Sequence, residues 1–167
     1  MKIIVTGGAG FIGSYLSKLL LSEGNNVIAL DDLSTGSLKN VSQFKNNKNF
    51  ELIIGDVCDS ALVDKLVKNS EVVYHLAAVV GVKHVMENPV ATIRVNALGS
   101  ENVLHSASAY HKKILIASTS EVYGKAMHYN KSSNGLVEDH DLVFGNSSIS
   151  RWAYATSKAL DEFMTLA

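Results

Sequence analysis

Tyr154-Ala155-Thr156-Ser157-Lys158 sets a phenol and an ammonium four residues apart. On a helix that spacing puts both side chains on one face. A nearby cation favours phenolate over phenol and lowers the tyrosine pKa. A tyrosine tuned this way shuttles a proton to or from a hydroxyl near neutral pH. The plain alternative is a Lys158–Glu162 pair, the weaker orientation because the lysine precedes the acid. Upstream, Ser118-Thr119-Ser120-Glu121-Val122-Tyr123-Gly124 groups three hydroxyls with a carboxylate. Thr119 is the hydroxyl expected to hold a substrate oxygen as its charge changes. Glu121 is either a second acid or base or a surface carboxylate, and Tyr123 reads as packing.

A second constellation opens the chain, where Val5-Thr6-Gly7-Gly8-Ala9-Gly10-Phe11-Ile12-Gly13 follows an apolar run. Gly7, Gly10 and Gly13 let a strand turn at once into a helix whose first turn, around Phe11 and Ile12, offers unpaired N–H groups to a phosphate. With the strand before it and the helix after it, the pattern predicts a dinucleotide pyrophosphate site. Asp31 stands eighteen residues after Gly13. A carboxylate there accepts hydrogen bonds from the adenosine ribose hydroxyls and repels the 2′-phosphate of NADP, and no arginine stands beside it, so NAD is the expected cofactor. Asp32 is the better candidate for a turn or cap. In Gly55-Asp56-Val57, Asp56 meets the adenine edge with Val57 beside it, or else caps the helix near Asp59-Ser60. Leu76, Ala77 and Ala78 end another strand and join the cofactor set. Asn96 either bridges backbone or water near the cofactor or faces solvent from its helix.

These residues need a frame that brings them to one edge. Apolar runs predict strands at Lys2–Thr6, Asn26–Leu30, Phe50–Ile54, Glu71–Leu76 and Lys113–Ala117. Helical spacing joins Ile12, Leu16, Leu19 and Leu20, with Gly24 as the stop. Leu62, Val63, Leu66 and Val67 give a short helix, residues 90–109 a long one, and residues 151–167 another. Lys125 to Ser150 lacks periodicity and reads as a long loop with local turns. The alternation implies an α/β fold, a Rossmann-type doubly wound parallel sheet. Gly7, Asp31, Asp56, Ala77-Ala78 and Ser118-Thr119 all follow strand ends, where such sheets bind ligands. Residues 1–167 are read as one NAD-binding domain. A doubly wound sheet normally continues past this point, so a truncated chain is expected, missing a C-terminal substrate-binding portion.

Composition removes other classes. The chain has 167 residues, 47% hydrophobic and 19% charged, with a net charge of −1. That balance suits a globular protein and argues against nucleic acid as a partner. No apolar run nears the roughly 20 residues that span a bilayer, so no membrane association is expected. The first residues are too short an apolar stretch for a signal peptide. Cys58 is the single cysteine, which excludes an intrachain disulfide and fits a reducing cytoplasm. The histidines lack metal-site spacing, so no metal is expected, and His75 reads as a structural strand-end histidine. Trp152, beside Arg151, reads as packing.

Together, Thr6-Gly7-Gly8-Ala9-Gly10-Phe11-Ile12-Gly13, His75-Leu76-Ala77-Ala78, Ser118-Thr119-Ser120-Glu121-Val122-Tyr123-Gly124 and Tyr154-x-x-x-Lys158 resemble the extended short-chain dehydrogenase/reductases. The branch they are most similar to is the NAD-dependent epimerase/dehydratase group acting on nucleotide sugars. The resemblance implies tightly held NAD, a Thr119–Tyr154–Lys158 catalytic set, a nucleotide-sugar substrate and a homodimer built through the two long helices. It implies an epimerase of the UDP-glucose 4-epimerase type, working through a transient 4-keto sugar. Lys158 then holds the nicotinamide ribose. The related 4,6-dehydratases usually carry Asp-Glu where this chain has Ser120-Glu121. Thr119-Ser120-Glu121 is similar to the UDP-glucuronate decarboxylases, and Arg151-Trp152-Ala153-Tyr154 to decarboxylases that modify lipid A precursors. The alternatives are thus a UDP-glucuronate decarboxylase, a 4,6-dehydratase, or a non-catalytic NAD-binding module.

Overall fold

The computed structural model describes residues 1–129 and 135–167. Five strands form one parallel sheet: β1 (Lys2–Thr6), β2 (Asn26–Asp31), β3 (Phe50–Ile54), β4 (Val72–His75) and β5 (Lys113–Ile116). Their order is β3-β2-β1-β4-β5. The helices are α1 (Phe11–Ser22), α2 (Leu38–Val41), α3 (Ser60–Lys68), α4 (Val82–Glu87), α5 (Pro89–Ala109), α6 (Ala126–Tyr129) and α7 (Trp152–Leu166). This is the expected doubly wound α/β fold. No helix among the described residues is long and apolar enough to cross a membrane.

The chain forms two compact units, residues 1–78 with 98–117, and residues 79–97 with 118–167. The first unit holds the sheet. β1 and β2 are buried almost end to end, from Ile3 to Val5 and from Val27 to Leu30. Parallel strands covered on both faces need such continuous apolar runs. Register pairs Thr6 with Leu30 and His75, and His75 with Ile116, so the carboxyl ends of these strands lie level. The strand order reverses between β1 and β4, the position where open sheets of this kind take their ligands.

The apolar spacing found α1 but not its buried face. Its buried residues are Gly13, Ser14, Ser17 and Leu20. Ile12 and Leu19, joined to Leu16 and Leu20 by that spacing, are 66% and 55% exposed. The cause is close approach: the start of α1 lies so near the preceding loop that only small side chains fit beneath it. Asp59 caps α3, its Oδ1 accepting from Leu62 N at 3.1 Å. The α5 segment in this unit is tied to α3, because Asp64 accepts from the Ser106 and Tyr110 hydroxyls.

In the second unit, α4 opens after Gly81 and was not expected. The predicted loop from Lys125 to Ser150 is mostly irregular. It holds α6 and a bridge from Gly124 to Val143, and its residues 130–134 lie outside the described residues.

Candidate functional site

In the first unit, Gly7 turns the chain out of β1 with φ of +67°. A Cβ there would lie 2.9 Å from Ala77 N. The end of β4 therefore rests directly on the loop. Gly13 is tighter still, since its Cβ would meet Gly7 O at 2.2 Å and Gly8 Cα at 2.8 Å. Glycine at both positions lets the backbone fold into a shallow cradle at the start of α1. Gly10 caps that helix without a side-chain hydrogen bond, and no acidic residue occupies its first turn. The positive end of the helix dipole is thus left for an anion. Phe11 and Ile12 stand exposed in that turn.

The residues around the cradle brace it. Asp31 is buried, and its Oδ2 accepts from Ala9 N at 2.9 Å while Oδ1 accepts from Leu33 N at 2.9 Å. Each carboxylate oxygen has a second lone pair, so Asp31 keeps acceptor capacity for a ribose. Thr6 Oγ1 accepts from Leu76 N and Ala77 N, both at 3.1 Å. Its proton therefore goes to His75 Nδ1, 2.8 Å away, and His75 Nε2 donates to Ser100 Oγ at 3.1 Å. That network makes His75 the structural residue expected. Asp56 does not cap α3: its Oδ1 accepts from Cys58 N at 2.8 Å in a local turn, and it stays exposed. Val57 is buried, and its carbonyl accepts from Asn102 Nδ2.

The second unit holds the proton-transfer candidates. Thr119 donates a hydrogen bond to the Tyr154 phenol while its Oγ1 accepts from Glu121 N at 3.3 Å. Tyr154, Thr119, Glu121 and Arg151 line one cavity of about 240 Å³, completed by apolar residues such as Val80, Val82 and Val85. Arg151 also lies over the Trp152 ring, 5.3 Å from its centroid. A guanidinium over an aromatic ring still has N–H donors to offer an anion.

Asn96 proves to be a structural tie rather than a solvent-facing residue. Its Oδ1 accepts from Val79 N at 2.8 Å and its Nδ2 donates to Ser157 Oγ at 3.0 Å. Ser157 in turn donates to the Tyr154 carbonyl, so α5 braces α7 at the Tyr154 backbone.

Lys158 departs from expectation. It pairs neither with Glu162 nor with the phenol. Its Nζ lies 2.6 Å from Asp161 Oδ2, with both side chains buried. Glu162 accepts the Ser118 hydroxyl instead. The Tyr154 pKa is raised rather than lowered. Burial is the main cause, the Glu121 and Asp161 charges add to it, and the Thr119 hydrogen bond opposes it. Sequence reasoning missed Asp161, Ser157 and the cavity position of Arg151.

Comparison with known proteins adds to this geometry. The family model described as GDP-mannose 4,6 dehydratase matches residues 4–167. The UDP-N-acetyl-alpha-D-glucosaminuronate decarboxylase of Bacillus cytotoxicus is 38% identical over 165 residues, covering 99% of this chain and 49% of the relative. The chain thus spans about half the length of that relative. A dTDP-glucose 4,6-dehydratase from Streptomyces venezuelae, solved with NAD bound, superposes with a TM-score of 0.85 at 27% identity. The match covers 98% of this chain and 50% of that one. A UDP-N-acetylglucosamine 4-epimerase from Methanobrevibacter ruminantium superposes with a TM-score of 0.83 at 29% identity, over 97% of this chain and 48% of that one. A glycine cradle at the β1–α1 turn, a threonine–tyrosine hydrogen bond and a family match over nearly every residue lead to one conclusion: the chain belongs to the NAD-dependent epimerase/dehydratase family of extended short-chain dehydrogenase/reductases.

Proposed function

We propose that residues 1–167 are the NAD-binding portion of a nucleotide-sugar decarboxylase acting on a uronic acid. The observation that carries this reading is Arg151 in the same cavity as Tyr154 and Thr119. A guanidinium beside the proton-transfer pair suits a sugar carboxylate. The 38% identical relative, a decarboxylase of a UDP-linked uronic acid, supports it.

The first unit fits NAD, because a Cβ would fill the cradle at Gly7 and Gly13 and Asp31 retains acceptor capacity. Gly7, Gly10, Phe11, Ile12 and Gly13 would hold the diphosphate. Asp31 would hold the adenosine ribose, with Asp56, Val57, Leu76, Ala77 and Ala78 completing that set. Lys158 is assigned by family resemblance to the nicotinamide ribose, and Asn96 and Tyr154 would complete the cofactor set. When bound, NAD supplies reversible hydride acceptance from a sugar carbon.

The chain's own residues do the rest. Tyr154 takes the proton of the sugar 4-hydroxyl, and Thr119 holds that oxygen. A ketone at carbon 4 makes the uronate a β-keto acid. The bond between carbons 5 and 6 then breaks, CO₂ leaves, and its electron pair stays on the sugar as an enolate. Glu121, which lines the same cavity, would deliver the proton that carbon 5 needs. Arg151 selects the carboxylate but does not speed its loss, since pairing stabilises the ground state.

Incubation of the complete enzyme with NAD and UDP-glucuronate should release CO₂. Arg151→Met should raise KM for the uronate by about 10- to 100-fold with kcat little changed. Interconversion of UDP-galactose and UDP-glucose without CO₂ release would favour the second reading, a 4-epimerase, which the Methanobrevibacter structure supports. Turnover of neither substrate by the complete enzyme would leave a non-catalytic NAD-binding module, whereas residues 1–167 alone, about half the length of the relative, are expected to be inactive.

We also infer a cytoplasmic homodimer. Val90 and Ile93 on α5 and Leu160 and Phe163 on α7 are exposed apolar residues that a second copy would cover. Sedimentation should show a dimer in the soluble cell fraction. A monomer at micromolar concentration, or recovery with membranes, would contradict this.

A further inference from the structure

Among the described residues, Lys158 and Asp161 form the ion pair in which both side chains are buried, at 3% and 1% exposure. Taking two charges out of water costs several kcal/mol, and the 2.6 Å contact must offset it. Helix propensity gives no reason for an aspartate at this position. The lysine it engages is the one the Tyr-x-x-x-Lys spacing assigns to the phenol. We propose that Asp161 is a positioning residue for Tyr154 and Lys158: its carboxylate fixes the Lys158 ammonium on α7 and neutralises it there.

The groups that act on the Tyr154 phenol can be named. Thr119 donates to it, the Glu121 and Asp161 carboxylates oppose its ionisation, and Arg151 shares its cavity. Lys158 sits one helical turn away with its charge cancelled by Asp161. Losing the Asp161 carboxylate would therefore act twice in one direction. It removes a negative charge and releases a positive one, and both changes favour phenolate. The significance of this inference rests on Tyr154 as the proton carrier.

The test reads the phenol itself, with no substrate or cofactor, so an inactive chain does not void it. Ultraviolet difference titration of the chain against its Tyr154→Phe counterpart isolates the Tyr154 ionisation. Asp161→Asn should lower the midpoint by about one pH unit or more. Asp161→Glu, which keeps the charge, should leave it near the wild-type position. An Asp161→Asn midpoint equal to wild type, or an equal shift in Asp161→Glu, overturns the proposal. Because an unpaired buried lysine can unfold the chain, Lys158→Gln and the neutral pair Lys158→Gln/Asp161→Asn serve as the second comparison. The neutral pair should titrate close to wild type, since Asp161 already cancels the lysine. A rise as large as that in Lys158→Gln alone would show that the lysine acts on the phenol independently, and overturns the proposal.

Discussion

Replacing Tyr154 with phenylalanine is expected to lower turnover by roughly 10²- to 10⁴-fold, the usual contribution of a positioned acid or base. NAD affinity should fall far less than turnover, because the diphosphate cradle lies on other residues and Tyr154 adds only one contact on the nicotinamide side. The substitution keeps the ring and removes one oxygen. Its local cost is the hydrogen bond from Thr119, a group that retains Glu121 N as a partner. The fold should therefore survive, and the loss should fall on kcat. The wild-type rate should rise with pH across the neutral range. A raised Tyr154 pKa leaves only a small phenolate fraction there, and that fraction grows tenfold per pH unit below the pKa. The phenylalanine variant should lose this dependence. Full activity in Tyr154→Phe would remove the phenol from the chemistry.

Gly13→Ala is the second large effect. Its Cβ would lie 2.2 Å from Gly7 O, and backbone atoms cannot step aside as a flexible side chain does. Overpacking of this kind costs about 1–3 kcal/mol. The displaced backbone is also the part that faces the diphosphate, so NAD affinity should fall by roughly 100-fold, about 2.7 kcal/mol. Gly10→Ala provides a graded comparison. Its Cβ would approach Gly7 O to 3.1 Å, a contact that small adjustments relieve. Melting temperature and NAD titration should rank the two variants in that order. Equal behaviour would mean that backbone approach does not define the cradle.

Much of the frame is legible in the chain itself. β1 and β2 read as strands because they are buried on both faces and so are apolar without interruption. The cradle reads from glycine spacing because backbone contact with Ala77 and within the loop excludes a Cβ. The misread face of α1 follows from the same contact. Hydrophobic spacing reports which side chains are apolar, whereas close approach decides which can be buried. The candidate site is less legible for a different reason. Asn96 and Ser157 lie 61 residues apart and meet only through tertiary packing. Lys158 had three carboxylates or phenols within four residues, and spacing alone does not rank them. Burial of Asp161 decides the competition, while Glu162 turns to Ser118. Arg151 reads as a neighbour of Trp152 until the cavity shows it beside Tyr154 and Thr119.

Parallel calorimetric titrations with NAD and NADP examine the cradle and Asp31 together. Saturable one-to-one binding of NAD is predicted, with NADP weaker by about tenfold or more, because a 2′-phosphate would face the Asp31 carboxylate. No heat with either nucleotide, or equal affinity for both, would contradict the assignment of this loop to NAD.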